Sequence, residues 1–427
     1  MKTNIWILNH YASDMYFDQG GRHYNFAKNL RRAGYAPVVF GANSKHGKAE
    51  RFFETDALWE EHVAEEIDTP FVFVRARTYT GNGKQRVLNM VDFYRNVKKA
   101  AKEYAAQHGR PDVIFASSVH PLTLVAGIQL AKQFGVKCVC EVRDLWPESI
   151  VVYSDRFTKD NPLIKLLYRG EKWIYKKADA LVFTMEGAYD YIVKQGWEKE
   201  IPRSKVHYIN NGVDLEQFDY NKEHFRVEDP DLNDPNVFKV IYTGSIRRVN
   251  NLGLLLDAAK CVKDPRVKLL VWGDDENISN VIFKGRVEKK YVPSIVSRAD
   301  LNFAHNSFTY LFNYGISFNK LFDYFAAGQP ILCDFPCRYN PVVTYGAGTE
   351  VRDPQPQEVA AVIDHLSELS DEQRQSMGAN ARRAAEDYDF KRLTDKLTAL
   401  AGDVPAIRLA ADRCTQEISK AQAADRL

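Results

Sequence analysis

At 427 residues the chain exceeds what one hydrophobic core usually organises, so two lobes with extensions are expected. Its 45% apolar and 27% charged residues are those of a soluble globular enzyme and exclude a disordered or fibrous chain. The 58 basic and 56 acidic side chains nearly cancel, to a formal net charge of +2, and with no recognisable nucleic-acid module this argues against a nucleic-acid partner.

Short apolar runs alternate with helical patterns from the start. Strands are predicted near 4–8 (NIWIL), 37–40 (PVVF), 71–74 (FVFV), 112–115 (DVIF), 136–142 (VKCVCEV), 180–184 (ALVFT) and 206–209 (VHYI). Helix-compatible spacing covers 22–33, 86–107, 121–134 and 162–177. Continuous apolar strands alternating with helices imply a doubly wound parallel sheet. The polar, proline-containing stretch 221–236 (NKEHFRVEDPDLNDPN) reads as a linker, which sets the N-terminal Rossmann-like domain at 1–220. The theme then repeats, with strands at 239–243, 268–272, 281–283, 301–304 and 330–333 and helices at 252–262 and 318–327. A second Rossmann-like domain is therefore set at 237–390, followed by C-terminal helices and a charged tail over 391–427. From about 357 the pattern is helical, including 371–387 and 390–401. The fold class expected is α/β, with two doubly wound parallel-sheet domains.

Six cysteines, Cys138, Cys140, Cys261, Cys333, Cys337 and Cys414, form no C-x-x-C pair and have no histidine at zinc-finger spacing. Neither a metal site nor a disulfide framework is expected, and a reducing, cytoplasmic compartment is. The N-terminal apolar run is too short for a signal peptide, and no window approaches the roughly 20 apolar residues that span a bilayer.

Several turns carry chemistry. Gly20-Gly21 stands between the first strand with its loop and a helix beginning near Arg22, where backbone N–H groups at a helix N-terminus can face an anion. The pair is equally a plain chain turn, since no full G-x-G-x-x-G is present. The corresponding stretch of the second half is YTGSIRRVNNLGLLL (242–256), in which Gly244 ends a strand and Arg247 and Arg248 can neutralise a diphosphate or lie solvated on a surface loop. In GISFNKLFDYFAAGQPIL (315–332) a loop feeds a helix that ends at Gly328. Leu321, Phe322, Phe325 and Ala326 face the core there, while Lys320 and Asp323 share the other side. That spacing suits a phosphate cation beside a ribose carboxylate, and equally an ordinary surface ion pair.

Taken together these motifs resemble the GT-B glycosyltransferases, family 4, retaining enzymes that use nucleotide-activated sugars. The resemblance covers about residues 1–400. It rests on the GG turn with its helix (20–35), INNGVDLEQF (209–218), YTGSI (242–246), VWGD (271–274), FKGRV (283–287) and KLFDYFAAGQPI (320–331). EVRDLWPES (141–149) is similar to a signature of transferases that assemble O-antigen and capsule units, including those handling fucosamine-type sugars. It places Arg143, Asp144 and Glu148 at a strand's carboxyl end. His120 matches by position the family's cleft histidine that touches the donor sugar. Gly285 and Arg286 match the strand-loop whose backbone reads the nucleobase.

Two departures stand out. Family 4 usually carries two glutamates eight positions apart; with Asp323 as the second, the first falls on Gly315, leaving backbone near Ser317 and Phe318 to meet the sugar hydroxyls. The usual Arg and Lys of the phosphate turn fall on Ser245 and Asn250, so phosphate binding is expected of Arg247 and Lys320, with Arg248 beside them. The resemblance implies a donor held in a cleft between two lobes, the N-terminal lobe taking the acceptor. It also implies a UDP-sugar, preferably an N-acetylated amino sugar, and a glycan or polyprenyl-diphosphate-linked acceptor. No metal or other cofactor is expected. Segments 86–104 and 163–177, rich in Lys and aromatics, suit peripheral contact with the anionic inner face of a membrane, and 163–177 suits packing on the sheet as well. The rival readings are a UDP-sugar 2-epimerase on the same architecture and a non-catalytic partner subunit.

Overall fold

The computed structural model describes residues 2–154, 156–244, 253–272 and 281–402. The chain divides into two compact units. The first takes in the chain through Phe183, Trp197–His207 and the chain from Thr394 on; the second takes in Thr184–Gly196 and Tyr208–Leu393.

The first sheet has eight strands: β1 (Asn4–Leu8), β2 (Ala36–Ala42), β3 (Trp59–Ala64), β4 (Thr69–Val74), β5 (Val113–Ser117), β6 (Lys137–Val142), β7 (Ala180–Phe183) and β8 (Val206–Tyr208). Their order across the sheet is β3-β4-β2-β1-β5-β6-β7-β8. The central pairs are parallel, with Ile5 opposite Pro37 on one side and Val113 on the other. Because helices cover both faces, the inner strands are apolar throughout, and the sequence pattern finds them. It misses β3, an antiparallel edge strand whose WEEHVA residues are mostly half-buried. The core gathers on Trp6, fully buried in β1, whose ring meets Phe40, Tyr104 and Phe134 at centroid distances of 5.0, 5.8 and 5.6 Å.

Helix ends follow local chemistry. Pro121 and Pro162 open the helices Pro121–Phe134 and Pro162–Lys177, where a missing N–H costs nothing, and the Asn161 side chain accepts from Leu163 N.

The second sheet runs β11-β10-β9-β12-β13-β14. Its strands are β9 (Phe238–Thr243), β10 (Val267–Trp272), β11 (Val281–Phe283), β12 (Leu301–Ala304), β13 (Ile331–Cys333) and β14 (Gly348–Glu350), all paired in parallel. Alternate residues serve opposite faces. Val240, Leu269 and Val271 pack with Leu255, Val359 and Ile363, while Ile241 and Leu270 pack with Leu321, Phe325 and Ala385. Helices Gly253–Cys261 and Pro356–Ser367 thus cover one face, and Asn319–Ala327 and Asp371–Asp387 the other. The two doubly wound α/β units and the C-terminal helices expected from the sequence are present.

Candidate active site

Groups that meet ligands in open α/β sheets collect past the carboxyl ends of the strands where the strand order reverses. In the first sheet that point lies at β1 and β5. His10 follows β1 and His120 follows β5, and the two rings join there, His10 Nδ1 to His120 Nε2, at 2.6 Å. Both are buried, and His10 stacks on Phe93 at 4.4 Å. Burial, aided by Arg86, pulls the His120 pKa down to about 3, and burial likewise holds His10 well below its ordinary value. Two neutral rings result.

Beside them lies a buried charged cluster. Glu141, at the end of β6, takes Arg22 Nε and Nη2, each at 2.6 Å, on one oxygen. Its other oxygen accepts from His23 Nε2 at 3.1 Å and Ser117 Oγ at 2.6 Å. Asn9 fixes the His23 tautomer: its Oδ1 accepts from Tyr11 N, which turns Nδ2 toward His23 Nδ1 at 2.8 Å. The His23 proton therefore sits on Nε2, aimed at Glu141. Burial pushes the Glu141 pKa up, but Arg22, His23 and Arg143 outweigh it and hold the carboxyl well below its usual range. The cluster ties the first turn of helix Arg22–Arg32 to β6. Gly21 immediately precedes that helix at φ 91°, a backbone state suited to glycine.

The other predicted residues of this unit lie on the same rim. Arg143 N donates to Ser118 Oγ at 3.1 Å, and Asp144 is exposed. Glu148 turns inward, holding Lys159 Nζ at 2.7 Å and accepting from Tyr168 OH. Its carboxylate is thus committed to an internal pairing.

In the second sheet the order reverses at β9 and β12. Lys320, in the first turn of helix Asn319–Ala327, spans that point: Nζ donates to Tyr242 OH of β9 at 3.1 Å and to the carbonyl of His305, just past β12, at 2.9 Å. The ammonium lies 4.3 Å from the Tyr242 ring centroid, a cation–π contact. Desolvation, partly opposed by Asp334, lowers its pKa to about 8. The same helix is pinned to β9 by Tyr324, whose hydroxyl accepts from Thr243 N at 3.0 Å. Asp334, past β13, pairs with His305 Nδ1, both buried. Asp323, one turn along from Lys320, is half-buried, and its crowded surroundings raise its pKa to about 6.

The loop ahead of this helix is held by INNG: Asn210 Nδ2 donates to Ile316 O and Asn211 Nδ2 to Ser317 O, each at 3.0 Å. Gly315 adopts φ 113°, and a Cβ there would come within 3.2 Å of Glu186 N. A glutamate at this position meets both a left-handed backbone and a crowded neighbour, which accounts for the departure noted in the sequence. Ser317 Oγ is buried, and Phe318 caps the helix while packing edge-on against Phe312 and Phe335. Gly244 directly follows β9, and Gly285 and Arg286 sit exposed after β11. Ser245, Arg247 and Arg248 lie outside the described residues. Sequence reasoning missed His10, His23, Glu141, His305 and Asp334. Each stands at or just past a strand's carboxyl end or in a helix's first turn, the one signal that marked them.

Two Rossmann-like units carrying polar clusters at their switch points define a GT-B architecture. Among similar solved structures is the Anabaena protein HepE in complex with UDP and glucose, 14% identical, TM-score 0.60, covering 93% of this chain and 98% of that one. Another, from E. coli, is described as trehalose-6-phosphate bound with UDP-2-fluoro glucose, 10% identical, TM-score 0.67, covering 94% and 99%. A third is the alpha,alpha-trehalose 6-phosphate synthase of Burkholderia multivorans, 13% identical, TM-score 0.66, covering 97% and 98%. At these identities the likeness is one of fold. Residues 22–217 match the family described as Glycosyltransferase Family 4, and residues 247–399 match one described as Glycosyl transferase-like. No curated protein gives a significant match. The chain is a glycosyltransferase, with a family 4 domain ahead of a glycosyl transferase-like one.

Proposed function

We propose that the chain is a retaining transferase that moves a sugar from UDP to a glycan or polyprenyl-diphosphate-linked acceptor in bacterial surface polysaccharide assembly. The observation that carries the donor half is Lys320, a cation at the β9/β12 switch point with Asp323 on the same helix face. Lys320 meets the diphosphate, Asp323 accepts from ribose hydroxyls, and the N-terminal end of the helix faces the phosphate. Arg247, with Arg248 and Ser245, adds to this charge balance. The UDP of the HepE and E. coli structures supports the choice of nucleotide. Gly285 and the Arg286 main chain frame the base.

The bond from the sugar's anomeric carbon to the phosphate oxygen breaks as the bond to the acceptor oxygen forms on the same face. The acceptor's proton passes to the departing phosphate, so no side-chain base is needed. Lys320 and the helix amides stabilise the developing charge without a metal. Turnover unchanged by EDTA is the expected outcome; loss restored by a divalent cation would refute it.

An N-acetylated amino sugar as donor rests on the similarity of RDLWPES to O-antigen and capsule transferases, with Arg143 and Asp144 on the rim of the first unit. Among the described residues no helix is long and apolar enough to cross a membrane. Helix Pro162–Lys177 does expose Leu163, Leu166 and Trp173 among Lys165, Arg169 and Lys176, which supports a peripheral hold on an anionic surface. A panel of nucleotide sugars with a lipid-linked acceptor, read by mass and anomeric configuration, tests the whole reading. Product of inverted configuration, or UDP-N-acetylglucosamine epimerised with no acceptor present, would overturn it.

A further inference from the structure

The β12/β13 ladder ends at the pair Ala304 and Cys333, and the next residue on each strand carries a titratable side chain, His305 and Asp334. Two contacts continue the pairing past the sheet: Asp334 N donates to Ala304 O at 3.4 Å, and Asp334 Oδ2 meets His305 Nδ1. A carboxylate can only accept, so the imidazole hydrogen lies on Nδ1. The strand end and the ring are thus both held by Asp334, which gives the His305 carbonyl a set place. That carbonyl is the one that accepts from Lys320 Nζ at 2.9 Å. Asp334 therefore acts on Lys320 without touching it: its ion pair is with His305, and its second oxygen, Oδ1, is buried with no partner among the described residues. Leaving a buried carboxylate oxygen unpaired is costly, which calls for a use of the charge. The titratable groups set around Lys320 among the described residues are Tyr242 on β9, His305 past β12, Cys333 and Asp334 at β13, and Asp323 three residues along its own helix. Burial, with Asp334 adding to it, pushes the Tyr242 phenol up to about 12 and the Cys333 thiol well above its ordinary value, so both keep their protons. Desolvation lowers the Lys320 pKa to about 8, and Asp334 is the charged group that resists the fall.

We propose that Asp334 is a positioning residue for the donor diphosphate: through the His305 ring it fixes the carbonyl that holds Lys320 Nζ, and its carboxylate keeps Lys320 a cation without cancelling that charge. The proposal rests on the donor reading of Lys320 and deepens it. An acid paired directly with Lys320 would compete with the diphosphate for the ammonium. An acid engaged by the neighbouring histidine supports the charge and leaves the ammonium to the ligand.

Asp334→Asn keeps an acceptor for His305 and removes the charge. In a titration of the 13C-lysine-labelled chain, with the Lys320 signal assigned by its loss in Lys320→Met, the midpoint of about 8 should move to lower pH in Asp334→Asn. An unmoved midpoint would overturn the proposal. UDP binding, read by calorimetry near neutral pH, should weaken about tenfold in Asp334→Asn, the size of one directly coupled contact. Added to Lys320→Met, the same change should weaken binding no further than Lys320→Met alone. Additive losses would mean that Asp334 only braces the fold, and would overturn its action through Lys320. His305→Gln leaves the carboxylate charged and takes the ring away. It should weaken UDP binding, be silent on the Lys320→Met background and leave a midpoint that does not fall; unchanged binding would sink the route through His305. A wild type that binds no nucleotide refutes the donor reading, and the lysine titration then decides on its own whether Asp334 governs Lys320.

Discussion

Replacing Glu141 by Gln removes one charge from a cluster that water does not reach. Glu141 is fully buried and Arg22 nearly so, and four donors converge on the two carboxylate oxygens. A carboxamide offers one oxygen and one NH2 group, so either the two Arg22 nitrogens or the His23 and Ser117 donors face a donor instead of an acceptor. Arg22 meanwhile stays charged and loses the carboxylate that its Nε and Nη2 share. Breaking a buried pair in this way costs about 3–5 kcal/mol, because the surviving buried charge loses the carboxylate paired with it. Amide hydrogen exchange should report the loss in peptides from β1, β5 and β6, with β9, β10 and β12 unchanged. The double variant Glu141→Leu with Arg22→Met should recover about 2 kcal/mol or more of it, the size expected for directly coupled partners. A cost below about 1 kcal/mol for Glu141→Gln, or a double variant as unstable as the single one, would refute the claim that the charge pair matters. The pH sign follows from the depressed carboxyl: its stabilisation is complete above the ordinary glutamate range and is lost only as pH falls toward the lower folded value.

The rate at low donor concentration should be bell-shaped in pH, with limbs near the values of about 6 for Asp323 and about 8 for Lys320. Asp323→Asn should flatten the acid limb and Lys320→Met the alkaline one; limbs unmoved by both would remove their donor roles. Stability runs the other way at Lys320, since its pKa is lowered on folding: its contribution rises as pH passes from about 8 toward the unfolded value. Gly212→Ala would place a Cβ 2.1 Å from the Tyr388 carbonyl oxygen, a backbone atom. It should destabilise the second unit by about 2–3 kcal/mol in urea denaturation; a smaller effect than 1 kcal/mol would mean that the Val213–Tyr388 contact is not tight. Sedimentation with anionic liposomes should fall at high salt and with Leu166→Glu; binding indifferent to both would dismiss the surface of helix Pro162–Lys177.

The central strands were legible because parallel strands covered on both faces must be apolar throughout, and runs such as NIWIL and VKCVCEV have no other economical reading. β14 escaped because its half-buried Gly-Thr-Glu contains no apolar residue run, and β3 because its exposure dilutes its pattern. Lys320 and Asp323 were legible from a helix start with a marked polar side, and His120 from its place after a strand. Glu141 was hidden within a strand run, and its partners lie 118 and 119 residues away for His23 and Arg22, distances at which spacing says nothing. His305 and Asp334 were hidden for the same reason, joined only by the adjacency of β12 and β13.

The two switch points differ in a way that burial alone does not dictate. Charge in the first unit's cluster is compensated internally, Glu141 against Arg22, and the atoms aligned at β1 and β5 are neutral imidazoles. Neutral acceptors suit hydroxyl groups, whose recognition a nearby net charge would blur. In the second unit Lys320 Nζ donates, among the described residues, to a phenol hydroxyl and a main-chain carbonyl, while Asp334, an acid acting on it, is engaged by His305. Among the described residues its positive charge is therefore held by dipoles, the arrangement on which the proposed diphosphate contact rests.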